Sequence, residues 1–244
     1  MRIKTRSLLP PGSEFVTQPT TPLARHVNSS TRKNIEPRWP ALVALVGAGA
    51  LYAALPASLL VAGPRWLLAA LVLLLVIPAE VSHRRGNQSL NQALGYILNG
   101  LITLAMIVSL TLLIEALADH KVTPQELLRS AAALWVTNIL IFASWYWRLD
   151  AGGPHERART VGHVDGAFLF PQMTMDQDAK LAAGEHEWEP NFVDYLFLAF
   201  NTSTAISPTD VPVLSRWAKV LMMIQALISL LVIVLLAARA VNIL

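Results

Sequence analysis

Apolar and polar positions separate along this chain into long blocks. Ala41–Gly63, Ala93–Ile114, Ser130–Trp147 and Val220–Ala238 carry no charged residue; Trp66–Val81 is shorter and holds only Glu80 near its end. A bilayer's hydrocarbon core takes roughly 20 apolar residues as a helix. Backbone polar groups in lipid must be satisfied within their own segment, so helices are the reading for such runs. The pattern therefore predicts an all-α integral membrane fold with about five transmembrane helices. Pro56 is expected to kink the first of them. Trp39, Trp66, Trp145, Trp147 and Trp217 stand at run ends, where aromatic belts form.

A sixth apolar stretch, Phe192–Phe200, is too short to cross. It runs into the polar, proline-bearing Asn201–Asp210. A short helix followed by a polar return is expected to form a re-entrant helix and loop, which membranes tolerate only where protein or water shields the backbone. The alternative is a surface helix and turn leading into the last span. The expected organisation is a disordered basic tail over 1–39, four spans within 40–149, a polar loop over 150–191, and the re-entrant segment with the final span over 192–244. No internal repeat is visible.

Composition agrees with this pattern. Hydrophobic residues make up 54% of the 244 positions and charged residues 14%, against about a quarter charged in soluble domains. Mean hydropathy is +0.48 and the pI is near 9.4. The basic excess lies in the tail and short loops, so membrane topology explains it and nucleic acid is not an expected partner. Placing the N-terminus inside puts Arg84, Arg85, Arg148, Arg157, Arg159 and Lys180 on the same side as the tail, and leaves only Arg65, Lys121 and Arg129 outside. The chain has no cysteine, which excludes disulfides and thiolate chemistry.

Chemistry-bearing positions are few. Thr202, Thr204, Ser207, Thr209 and Asp210 are the candidates for a pore or ion path, with Asp210 able to attract cations or to cap the turn before the last helix. Asp194, within the short apolar stretch, is costly against lipid, although a helix N-terminus suits its charge. Asn99, Thr103, Thr111 and Glu115 recur at multiples of four and share one drifting helical stripe. They either line a wet path or bind helices together; Asn138 reads the same way. Arg239 either snorkels to the interface or pairs with Asp194 or Asp210. The six histidines are scattered, no nucleophile elbow, zincin or phosphate-loop motif occurs, and Gly152-Gly153-Pro154 reads as a turn. No enzyme activity, cofactor or metal is expected. The expected partners are the lipid bilayer, further copies of the chain, and an ion or small solute.

Two resemblances bear on this reading. Residues 191–244 resemble the pore module of potassium channels, in which a short pore helix, a threonine-rich filter and an inner helix follow one another. Thr202, Thr204 and Asp210 fall in register with that filter, Ile206 stands at its valine, and Gln225–Ser229 resembles the inner-helix segment, with Ser229 at the hinge glycine. Ser207 and Thr209 replace the filter glycines and Pro208 the aromatic. Left-handed backbone costs an ordinary residue roughly 1–2 kcal/mol, so a carbonyl-cage potassium filter does not fit. Potassium-channel pore helices also enter from outside, whereas the charge pattern places 148–191 inside. Residues 145–244, with Trp147–Pro154, Phe168–Gln172, Asp194–Phe197, Ser207–Asp210 and Arg239–Leu244, also look like a family of uncharacterised bacterial membrane proteins. That resemblance implies a bacterial inner-membrane location and no particular activity. A non-conducting structural or interaction protein is the alternative to a pore.

Overall fold

The computed structural model describes residues 37–60, 64, 66–84, 87–119, 123–159, 166–184, 188–204 and 211–241. The described residues belong to one compact unit over 34–244. Their named elements are all helical. Helix α1 covers Trp39–Ala53, α2 Trp66–Arg84, α3 Gln88–Asp119, α4 Pro124–Leu149, α5 Pro154–Arg159, α6 Pro171–Thr174, α7 Gln177–Ala182, α8 Phe192–Thr204 and α9 Arg216–Val241. Four of the five long apolar runs are thus helical throughout, and the first, Ala41–Gly63, is α-helical as far as Ala53. Three segments are long and apolar enough to cross a membrane: Ser89–Leu117, Pro124–Gly152 and Arg216–Ala238. Helices α1 and α2 supply shorter apolar stretches, Trp39–Ala53 and Trp66–Ala79.

Local chemistry sets the boundaries. Residues before a proline avoid helical backbone, and α1 stops at Ala53, ahead of Pro56. The expected kink is therefore a helix end, followed by a 3-10 turn over Ala57–Leu59. Pro78, by contrast, lies inside α2. A reciprocal capping box starts α4, with Thr123 accepting from the Glu126 amide and Glu126 accepting from the Thr123 amide. At the start of α8, Asn191 Oδ1 accepts from Val193 N at 2.8 Å and Asp194 Oδ2 accepts from Asn191 N at 2.7 Å.

Helix α4 is the hub. It packs against α1, α3, α8 and α9, while α2 packs against α1 and α3. Some 61% of its span is buried within the chain, against 17% of the α9 span. Apolar side chains such as Leu74, Leu104, Leu227 and Val234 face outward, each at least half exposed. An outward apolar belt of this extent suits lipid and not water.

The segment expected to be a polar loop is folded over much of its described length. It carries α5, α6 and α7 and sends Ala167, Phe168 and Phe170 into the core. Phe168 meets Tyr146, Tyr195 and Trp217 edge-on, with ring centroids 5.3, 6.2 and 6.2 Å apart. Backbone pairing fixes the same strip. Leu169 N donates to Pro212 O at 2.9 Å and Leu214 N to Ala167 O at 2.7 Å, around a Phe168–Val213 antiparallel bridge. The chain leading into α8 and the chain leading into α9 are therefore joined at one end of α4.

Candidate functional site

Helix α8 is held at both ends by buried polar groups. At its N-terminal end lies Asp150, fully buried just after α4. Its Oδ1 accepts from Ala167 N at 2.5 Å and its Oδ2 from the Tyr195 hydroxyl at 2.6 Å. Arg157 Nη1 donates to the carbonyls of Trp147 and Asp150, both at 2.8 Å, and its guanidinium lies 5.1 Å over the Tyr195 ring. A buried carboxylate is tolerable only when hydrogen-bonded. Here its bonds tie α4, the 167–169 strip and α8 together.

At the other end, five side chains from three helices interlock. Gln225 of α9 donates through Nε2 to Ala199 O at 2.7 Å and to Ser203 Oγ at 2.8 Å, and its Oε1 accepts from the Tyr146 hydroxyl. Asn138 of α4 donates through Nδ2 to Ser229 Oγ at 2.7 Å, with longer contacts to Gln225 O and Ser203 Oγ at 3.4 and 3.5 Å. All of these side chains are buried. Ala199 and Ser203, four apart on α8, are small enough to let the helices approach closely. Ala218, Gln225, Ser229 and Val232 form the buried stripe of α9 that receives them. Asn138 Oδ1 has no hydrogen-bond partner among the described residues.

The predicted site residues distribute unevenly around this clamp. Thr202 and Thr204 lie in the last turn of α8, where their hydroxyls donate to Leu198 O and Asn201 O of their own helix, at 2.8 and 3.1 Å. Ser207, Thr209 and Asp210 lie outside the described residues, as does the side chain of Arg239. Asp194 caps the first turn of α8. Asn99 is fully buried and accepts from Ser144 Oγ at 3.0 Å; Thr103 accepts from Trp145 Nε1 at 3.0 Å. Both join α3 to α4. Thr111 and Glu115, on the same stripe, are exposed, so the stripe does not act as a unit.

Gln225, Ser203 and Tyr146 escaped the sequence reading as functional positions. The available signal was a lone amide in the uncharged run Val220–Ala238. The Asp150–Tyr195–Arg157 network also escaped it, because Tyr195 lies 45 residues from Asp150 along the chain. The clamp is an amide–hydroxyl network, suited to positioning and not to proton transfer. No cluster of three or more His, Asp or Glu side chains placed to hold a metal occurs among the described residues. No protein-family model, curated protein or solved structure matches this chain.

Proposed function

We propose a five-span membrane protein in which α8 is re-entrant, and in which several copies surround a permeation path formed by residues 201–210. The observation that carries this reading is the joining of 167–169 to 212–214 by backbone hydrogen bonds, which suits a segment that leaves and re-enters one face. Depth supports it as well. At 1.5 Å per residue, Gln225 lies about 14 Å along α9 from Arg216, and Asn138 about 17 Å from the end of α4. Both clamp the C-terminal half of α8, and a hydrocarbon core is about 30 Å thick. Helix α8, at 13 residues, is about 20 Å long and too short to cross. It would thus end near the midplane. Its C-terminal carbonyls carry partial negative charge, and with Asp210 they favour a cation or a polar solute with positive character. The basic loops favour a cytoplasmic N-terminus. The largely unburied α9 leaves apolar surface for neighbouring copies.

Flux into sealed liposomes tests the proposal. Folded wild-type protein is expected to pass monovalent cations, and Asp210→Asn and Thr204→Ala to pass fewer. Absence of wild-type flux would sink it. The second reading, a non-conducting structural or interaction protein, is favoured by a specific observation: the Thr202 and Thr204 hydroxyls close onto their own helix. A flux-negative, correctly inserted protein is the outcome that reading requires.

A further inference from the structure

A second polar place lies away from the clamp. The starts of α1 and α3, the end of α4 and α5 border a cleft of about 210 Å³, room for about seven waters at liquid density. Arg38, Gln92, Arg148, His155 and Glu156 are among its lining residues. Arg148 is only 9% exposed. Its Nε is buried without a hydrogen-bond partner, and among the described residues its guanidinium meets no carboxylate. Its head lies flat on α3: a Cβ placed on Gly95 would come within 1.9 Å of Nη1. The neighbouring Trp147 ring, 5.5 Å from Cζ, gives it a weak cation–π contact.

A buried cation without a counter-charge is strongly unfavourable, and among the described residues the other charges lining the cleft do not supply one. Arg38 has the same sign. Glu156 is half exposed and directed at Arg159, 3.9 Å away. Helices α1 and α3 begin at the cleft, so the positive ends of their dipoles border it, while α4 ends there and sets its negative end beside Arg148. His155 Nε2 is buried without a partner. Burial holds its imidazole below the usual histidine range, Glu156 opposes this, and Arg159 and Arg38 add to the lowering. Gln92 is fixed by donating to Gly152 O at 3.1 Å.

We propose that this cleft binds the phosphate group of an anionic ligand, with Arg148 as the anchoring fork and Arg38, Gln92 and His155 around it. A guanidinium fork matches phosphate oxygens in a bidentate manner. The phosphate arrives either on a membrane lipid headgroup or as a free anion; basic pockets between membrane helices take anionic headgroups in this way. The proposed site draws on none of residues 201–210, and its test stands whatever the flux assay shows.

The test is native mass spectrometry of the full chain in detergent, titrated with phosphatidylglycerol or phosphatidylcholine, beside melting curves with inorganic phosphate. Wild type is expected to hold a phosphate-bearing anion about tenfold or more tightly than the zwitterionic lipid. Arg148→Gln and Gly95→Ala, the latter by displacing the guanidinium, are expected to lose about tenfold, and Arg38→Gln somewhat less. Lys219→Gln, on α9 and outside the cleft, leaves binding unchanged. Stabilisation by inorganic phosphate and its competition with phosphatidylglycerol would identify a free anion; phosphatidylglycerol binding that phosphate does not displace would identify a lipid. Equal binding of the two lipids with no phosphate effect would overturn the proposal. So would an anion preference that survives in folded Gly95→Ala and Arg38→Gln protein, whether or not Arg148→Gln folds.

Discussion

Single side chains differ sharply in what their loss should cost. Gln225 satisfies the Tyr146 hydroxyl, Ala199 O and Ser203 Oγ at once. Gln225→Leu keeps the volume but takes the acceptor from the buried Tyr146 hydroxyl and removes the bonds to Ala199 O and Ser203 Oγ, and is expected to lower unfolding free energy by about 2 kcal/mol or more. Thr202→Val removes one bond internal to its own helix and should cost no more than about 0.6 kcal/mol. Unfolding in detergent micelles measures both, and equal losses would count against the clamp. His155 gives a pH-dependent prediction. Its folded pKa lies below the ordinary 6.5, chiefly through burial, so protonation favours the unfolded chain. Its effect on stability is absent well above that value and grows as pH falls through it towards the lowered one. The unfolding midpoint of wild type should therefore drop more between about pH 8 and about pH 5 than that of His155→Gln. Of these residues the sequence reading singled out only Thr202. A lone glutamine in an apolar run is a visible signal, but its partners on α4 and α8 are set by packing, which no periodicity reports.

At the level of elements, the sequence was most informative where one physical rule dominates. Uncharged runs became helices because nothing else closes backbone hydrogen bonds in lipid. The shortness of the Phe192–Phe200 stretch carried through to α8, which runs four residues further, to Thr204. The 150–191 segment was least legible. Phe168 and Phe170 stand two apart, at strand spacing, but in too short a run to announce a strand, and they are buried against aromatic rings from α4, α8 and α9. The Gly-Gly-Pro turn after α4 was legible as a turn, and its geometry makes a prediction. Gly153 has φ +91° and ψ 175°, and a Cβ there would lie 2.7 Å from Arg148 O. Gly153→Ala should destabilise by about 1–3 kcal/mol. Gly100, inside α3, has nothing within 4 Å of a built Cβ, and Gly100→Ala should stabilise by up to about 1 kcal/mol. Paired unfolding curves decide it; the reverse order would contradict the backbone account.

For the whole molecule, the account turns on one continuous path of chain. The 167–169 strip and the 212–214 strip are hydrogen-bonded side by side, with α8 between them in sequence and the clamp at its far end. If α8 is re-entrant, both strips face the same compartment and α9 alone carries the chain across afterwards. The permeation proposal depends on this, since only a re-entrant α8 presents residues 201–210 at the membrane's depth. Because the native chain has no cysteine, single introduced cysteines report without background. The direct measurement is labelling of Asp165→Cys and Leu214→Cys by a membrane-impermeant thiol reagent, in intact cells and in opened membranes. The account predicts that both are silent in intact cells and both react once the membrane is opened. Labelling of one from outside and of the other only from inside would contradict it.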